Sequence, residues 1–158
     1  MGFTIMALTE NKNFLSPVGF RLKLDSTKYP NLEYFCSGVT LPSISLSDAP
    51  MSYGSINYAE PGDKLAFGDL TIKFNITEDM DNYIETYDWI RSMVVDGNAH
   101  RCDATLAVLS SHNNVNKEIK FNSIFPTELS EIVFSSTETE IAYVEASVTF
   151  KYTEFKFI

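Results

Sequence analysis

Residues 31–97 read NLEYFCSGVTLPSISLSDAPMSYGSINYAEPGDKLAFGDLTIKFNITEDMDNYIETYDWIRSMVVDG, and this stretch decides the fold. Leu70, Ile72, Phe74 and Ile76 alternate with Thr71, Lys73 and Asn75, the period-two pattern of a half-buried strand. Before it, a strand from Leu32 to Leu41 closes at Pro42, which has no N–H to give to a ladder. Between them, Ser52–Ala59 and Lys64–Ile76 read as the arms of a long protruding hairpin. Its turn is placed at Glu60-Pro61-Gly62-Asp63, where proline presets φ and glycine accepts φ > 0, and Gly68 is a candidate bulge.

After the alternating strand, Thr77-Glu78-Asp79 opens a helix over residues 78–96. Thr77 or Asp79 can cap its free N–H groups, acidic residues face its positive end, and Gly97 stops it. Met80, Tyr83, Ile84, Tyr87, Ile90 and Val94 follow helical spacing, which predicts an apolar face on the sheet. Ile84, Tyr87, Trp89 and Ile90 are therefore expected as core residues, with Glu85 and Asp88 on the outside.

Strand patterns continue on both sides. Val18, Phe20, Leu22 and Leu24 alternate with Gly19, Arg21 and Lys23, and residues 104–109 are apolar on both faces. Lys117–Ile124 alternates until Phe125-Pro126-Thr127 breaks it and leads to Ile132-Val133-Phe134. Val144–Tyr152 is the last long strand, with a phase shift near Thr153-Glu154. The expected fold is mainly β: an antiparallel sandwich or barrel with one flanking helix and a long hairpin. Residues 1–16 read as an N-terminal arm and 17–158 as a single domain, since 158 residues suit one core better than two.

Composition narrows the function. Twelve basic against 21 acidic side chains give a net charge of −9, the wrong sign for a nucleic-acid reader, which displaces counterions with lysine and arginine. Residues 1–6 lack the basic and apolar regions of a signal peptide. Met6 stands where a myristoylation signal needs Ser or Thr, and no run approaches the ~20 apolar residues of a membrane span. Cys36 and Cys102 form no CxxC pair, so a reducing compartment with free thiols is expected.

Candidates for chemistry are few. His100-Arg101-Cys102-Asp103 gathers four reactive types, but neighbours on a strand point to opposite faces and cannot chelate together. His112 lies in a polar loop. Ser110 and Ser111 lack a G-x-S-x-G context, and Glu78, Asp79 and Asp81 lack the spacing of a calcium loop. No catalytic, metal or cofactor site is expected. A carbohydrate-binding module remains an alternative, with Tyr53, Tyr58 and Trp89 as its stacking platform.

The order of parts resembles the tail tube protein of contractile-tailed (myovirus-type) bacteriophages. The residues that carry the resemblance are the Gly19-Phe20-Arg21-Leu22-Lys23-Leu24 strand, Asn31–Cys36 running to the Thr40-Leu41-Pro42 corner, and Ile56–Asp63. Phe67-Gly68-Asp69-Leu70-Thr71-Ile72, a helix with Tyr87-Asp88-Trp89-Ile90, and the Ile124-Phe125-Pro126-Thr127 corner complete it. The match runs over about residues 17–157, and the arm before Pro17 aligns with little of the family. The resemblance implies a structural subunit whose hexameric rings stack into a tube inside a sheath. DNA and the tape-measure protein would pass through the lumen without sequence-specific binding, and baseplate and tail terminator proteins would close the ends. It also implies a virion tail assembled in the host cytoplasm. A tube-initiating baseplate protein and the tube of a secretion machine are alternatives. On this reading Tyr53, Ile56, Tyr58, Leu65 and Phe67 form the subunit interface. Glu33, Ser37 and Asp69 face a lumen expected to be net negative and poor in lysine.

Overall fold

The computed structural model describes residues 13–24, 29–31, 35–95, 100–137 and 143–158. Nine strands and one long helix occur among these residues: β1 (Phe20–Lys23), β2 (Cys36–Thr40), β3 (Ile44–Tyr53), β4 (Ile56–Phe67), β5 (Leu70–Asn75), α1 (Asp81–Val95), β6 (Cys102–Leu109), β7 (Val115–Leu129), β8 (Glu145–Lys151) and β9 (Glu154–Phe157). All pairings are antiparallel. One sheet runs β1-β6-β7-β8-β5-β2, with β9 also paired to β7, and β3-β4 form a separate ribbon.

β7 organises the sheet. Its first part lies between β6 and β9, and its last residues pair with β8. The expected break at Phe125-Pro126 is absent; the strand continues and bends there. Ser123 takes φ 56°, Asp103 Oδ1 accepts the Ser123 N–H at 3.0 Å, and the β6–β7 register shifts between Cys102 and Ala104. This is a bulge that re-aims the strand. On the other side of β7, β8 and β9 keep one register from Phe125↔Lys151 to Asn122↔Glu154, so the phase shift near Thr153 is this same corner seen from the partner strand. The two wings close over a common core. Leu22, Leu106, Ile119 and Phe121 come from one wing, and Leu70, Ile72, Phe74, Val148 and Phe150 from the other.

The helix sits on this core with Trp89 inward, as expected, but with Ile84 and Tyr87 turned outward. Ile84 and Tyr87 are each 47% exposed, whereas Asn82, Thr86 and Trp89 are buried, Trp89 to 2%. Ile90 is half-buried. The rotation follows from hydrogen bonding at the helix start. The Asn82 amide donates to the Asn75 carbonyl at 2.6 Å and its oxygen accepts the Tyr83 N–H at 2.9 Å, tying the first turn to the end of β5. The helix begins at Asp81, three residues later than expected, and Thr77 Oγ1 accepts the Asp81 N–H at 3.1 Å. Trp89 stacks on Tyr29 with ring centroids 4.0 Å apart, tilts against Phe150, and donates its indole N–H to the His100 carbonyl at 2.9 Å. One large ring thereby joins the helix, the sheet and the segment before β6. A buried Trp89 is unavailable to a sugar, so it does not join the exposed Tyr53 and Tyr58 in a stacking platform.

The hairpin differs as well. β3 and β4 turn at Gly54-Ser55, directly between the paired Tyr53 and Ile56. Gly54 has φ 61°, which fits the first position of a II′ turn, the tight connection whose twist matches the flanking strands. Glu60–Asp63 is strand, not turn: Pro61 pairs with Asp48, and the extra residues opposite Ser47 form a bulge. Gly62 is required there, because a Cβ would collide with the Ser47 hydroxyl and carbonyl. Gly68 is no bulge within a strand; it links β4 to β5 and donates its N–H to the Ser43 carbonyl at 2.8 Å.

Both cysteines are free. Cys36 lies half-buried at a bulge in the β2–β5 pair; burial pushes its thiol up to about 11, partly offset by a hydrogen bond with the Gly38 backbone.

Two outcomes are expected from this arrangement. Trp89→Ala should lower the unfolding free energy by about 3–5 kcal/mol, while Ile84→Ala should change it by less than about 0.5 kcal/mol, the range of ordinary surface positions. Urea denaturation of both variants checks the helix phase, and a loss of about 2 kcal/mol or more for Ile84→Ala would return Ile84 to the core. For Cys36, the thiolate fraction at pH 7 is on the order of 10⁻⁴ given its raised pKa. Alkylation followed by mass spectrometry should be slow at neutrality and rise about tenfold per pH unit toward pH 11; full labelling at pH 8 would contradict the burial.

Candidate assembly surfaces

The β3–β4 ribbon has the most unusual surface. Every residue from Ile44 to Phe67 is exposed except Gly62 and Phe67, which are half-buried. Strand residues directly opposite each other share a face, and alternate residues switch faces. Near the base, Ile44 pairs with Phe67 and Leu46 with Leu65, so these four lie on one face. Toward the tip, Met51 pairs with Tyr58 and Tyr53 with Ile56 on the opposite face. The ribbon thus carries two apolar stripes, one per half, on opposite sides.

Four of the five residues expected at an interface stand in water: Tyr53 (79% exposed), Ile56, Tyr58 and Leu65. Phe67 behaves differently. Its ring sits 5.2 Å from Phe155 and 6.1 Å from Tyr152, so it anchors the ribbon to its own body. Placing the turn at Gly62 hid Ile44, Leu46 and Met51, which are equally exposed and belong to the same stripes. The Gly54-Ser55 pair between Tyr53 and Ile56 is the sequence signal that identifies them.

The outward face of β5 and β8 is a second surface. The inward side carries Leu70, Ile72, Phe74, Ala146, Val148 and Phe150, and the outward side carries Thr71, Lys73, Ser147, Thr149 and Lys151 in facing register. Ser37, on the neighbouring β2, donates its hydroxyl to Glu145 at 3.1 Å, and Asp69 pairs with Lys151 at 3.1 Å. Asp69 is thus compensated by a lysine. Glu33 lies outside the described residues.

The outer side of α1 presents Ile84, Tyr87 and Val94 to solvent, with Arg91 over the Tyr87 ring at 5.9 Å. The outer face is apolar in part, where a polar one was expected.

The reactive cluster before β6 is spent on structure. The His100 carbonyl accepts from Trp89, Arg101 lies 4.7 Å above the Phe125 ring, and Asp103 holds Ser123 and faces Lys120 at 3.6 Å. Among the described residues, no group of three or more His, Cys, Asp or Glu is placed to hold a metal ion. No described helix is long and apolar enough to cross a membrane.

No protein-family model matches the sequence, and comparison with curated proteins finds no match. Solved structures do match. The tube-terminating cap of the anti-feeding prophage aligns with TM-score 0.73 at 13% identity, covering 98% of this chain and 95% of that one. The tube in the PVC sheath-tube complex, an extracellular contractile injection system in its extended state, aligns with TM-score 0.71 at 16% identity over 93% of each chain. The sheath/tube terminator of the same system aligns with TM-score 0.70 at 15% identity, covering 94% of this chain and 99% of that one. Nearly complete coverage in both directions means that the sheet, the helix and the ribbon are compared together, and the chain has the fold of the tube and tube-terminator proteins of contractile injection systems.

Proposed function

We propose that this protein is a non-enzymatic structural subunit of the tube of a contractile, phage-like tail, forming rings, six copies each, that stack into a conduit. The observation that carries the reading is the β3–β4 ribbon. It holds about 30 Å of strand by its ten residues in β3, and its apolar side chains lie in water on both faces. A ribbon of this kind in a single soluble chain is an unpaired liability, and a neighbouring copy removes it. Two stripes on opposite faces suit contact with two different neighbours, one beside and one above, as a stacked ring requires.

The outward face of β5 and β8 fits the lumen wall. It is a row of short hydroxyl side chains on which Lys73 and Lys151 stand against Asp69, Glu128 and Glu145. That wall is closer to neutral than the −9 charge implied, and it offers no basic track for a phosphate backbone. The partly apolar outer side of α1 is then left for the sheath, with baseplate and terminator proteins at the tube ends, and tape-measure protein and DNA in the lumen. The particle would be a phage virion, assembled in the host cytoplasm.

A tube terminator is the second reading, favoured by the similarity to two terminators at coverage slightly above that of the tube. The two separate by the product of assembly: a tube subunit stacks without limit, and a terminator stops at one ring.

Ile56→Asp or Tyr58→Asp should leave a folded chain that no longer sediments as polymer, because burying a carboxylate at an apolar contact is costly. Normal assembly of both variants would remove the ribbon from the joint. Replacing Ser147 and Thr149 together by Lys should leave assembly intact but make the particles retain duplex DNA in a salt-dependent way. Co-sedimentation of DNA with variant and unsubstituted particles checks this, and equal retention would place the lumen elsewhere.

A further inference from the structure

Beyond the ribbon, two apolar features stand unsatisfied at opposite ends of the molecule. The first is the arm at residues 13–16, where Phe14 is 100% exposed and Leu15 largely so. The arm lies over the β6–β7 turn beside Ser110, Ser111, Asn116 and Lys117, and Leu15 approaches Val39 and Leu41. It is pinned there by the Ser16–Gly19 turn, in which the Gly19 N–H meets the Ser16 carbonyl at 3.4 Å and the Gly19 carbonyl accepts from Leu109 at 2.9 Å. The second is a recess of about 220 Å³ between the start of α1 and the segment after β7, walled by Ile76, Met80, Ile132, Phe134 and Val144 together with the polar Thr77 and Glu78. A cavity of ~150 Å³ lined by Leu, Ile and Phe takes up a benzene ring, so this one has room for a phenyl group.

We propose that the cavity is the socket for Phe14 of the adjacent copy of this chain, a contact that rests on the tube reading and adds a second joint to it. The topology excludes the same chain as the source. Val39 and Leu41, which mark the arm's end of the sheet, lie by the start of β5, since Val39 pairs with Ile72 and Thr40 with Thr71. Ile76, in the cavity wall, follows the far end of β5. Four residues separate Ile72, opposite Val39, from Ile76, and six separate Leu70 from it, roughly 13–20 Å of strand, and the pinned turn keeps Phe14 on its own side. An element at one end that fits a recess at the other makes a head-to-tail contact, which propagates into rings or stacks. The ribbon is a poorer occupant: its Tyr53 and Ile56 are spread on a strand face and need a broad surface, while Phe14 projects singly from irregular backbone.

Cysteine pairing between differently substituted copies tests the contact. One preparation carries Phe14→Cys and the other Val144→Cys; the unsubstituted chain controls for Cys36 and Cys102. Mixed, assembled and oxidised, the two should give a disulfide-linked pair containing one copy of each, and neither alone should. In parallel, Phe14→Asp should keep the thermal midpoint while raising the concentration needed for assembly by roughly tenfold or more. An assembled mixture without the linked pair, an equal yield from Tyr53→Cys with Val144→Cys, or an unchanged assembly threshold for Phe14→Asp overturns the assignment. If the unsubstituted chain stays monomeric at every concentration, the tube reading falls with it; if it assembles and Phe14→Asp has no effect, only the arm contact falls.

Discussion

The bend in β7 is the constraint on which the rest of the molecule depends. A fifteen-residue strand cannot stay flat and also cover a core from two sides. The bulge at Ser123, with its left-handed backbone and its N–H held by Asp103, lets one strand serve both wings. β8 and β9 keep one register along β7 from Pro126 back to Ile119, so the bend belongs to a strand pair and not to a single chain segment. Once the wings face each other, the inward residues of β5, β6, β7 and β8 meet in one apolar cluster, and burial of that cluster is the main favourable term in folding.

The helix closes what the bend leaves open. It is fastened by polar groups where a purely apolar stripe was the natural expectation. A buried Asn82 is tolerable because its amide donates to Asn75 and its oxygen accepts from Tyr83, leaving little unmet hydrogen-bonding capacity. Those bonds set the rotation of the helix, and the rotation leaves Ile84, Tyr87 and Val94 in water. Local polar satisfaction thus determines which surface is free for other molecules.

The division of surfaces follows from the same architecture. Apolar residues beyond the needs of one core are gathered on the ribbon, the arm and the outer helix, all at the periphery. The outward face of β5 and β8 is by contrast hydroxylated and nearly balanced in charge. The described residues thus combine one apolar core, peripheral apolar elements and one polar sheet face.

The sequence by itself determined the strand periodicities, the capped helix after β5 and the aromatic weight of the core, because period two and period 3.6 are local properties of backbone and side chain. Leu70–Asn75 and Glu145–Lys151 were legible for this reason. Three things were decided only by the tertiary structure. Pro61-Gly62 is a turn signal by itself, yet opposite Ser47 it becomes a bulge, since pairing with β3 satisfies its neighbours; the Gly54-Ser55 turn takes over the reversal. Phe125-Pro126 is a break in isolation but a corner once β8 lies beside it. The helix spacing pointed Ile84 and Tyr87 inward, and the bond from Asn82 to the Asn75 carbonyl at the end of β5 turns them outward. Each was a competition between a local preference and a partner distant in sequence; in the helix and β7 the partner prevailed because a buried backbone group left without one costs more than the local preference is worth, and in the exposed ribbon because the β3–β4 ladder satisfies both strands together.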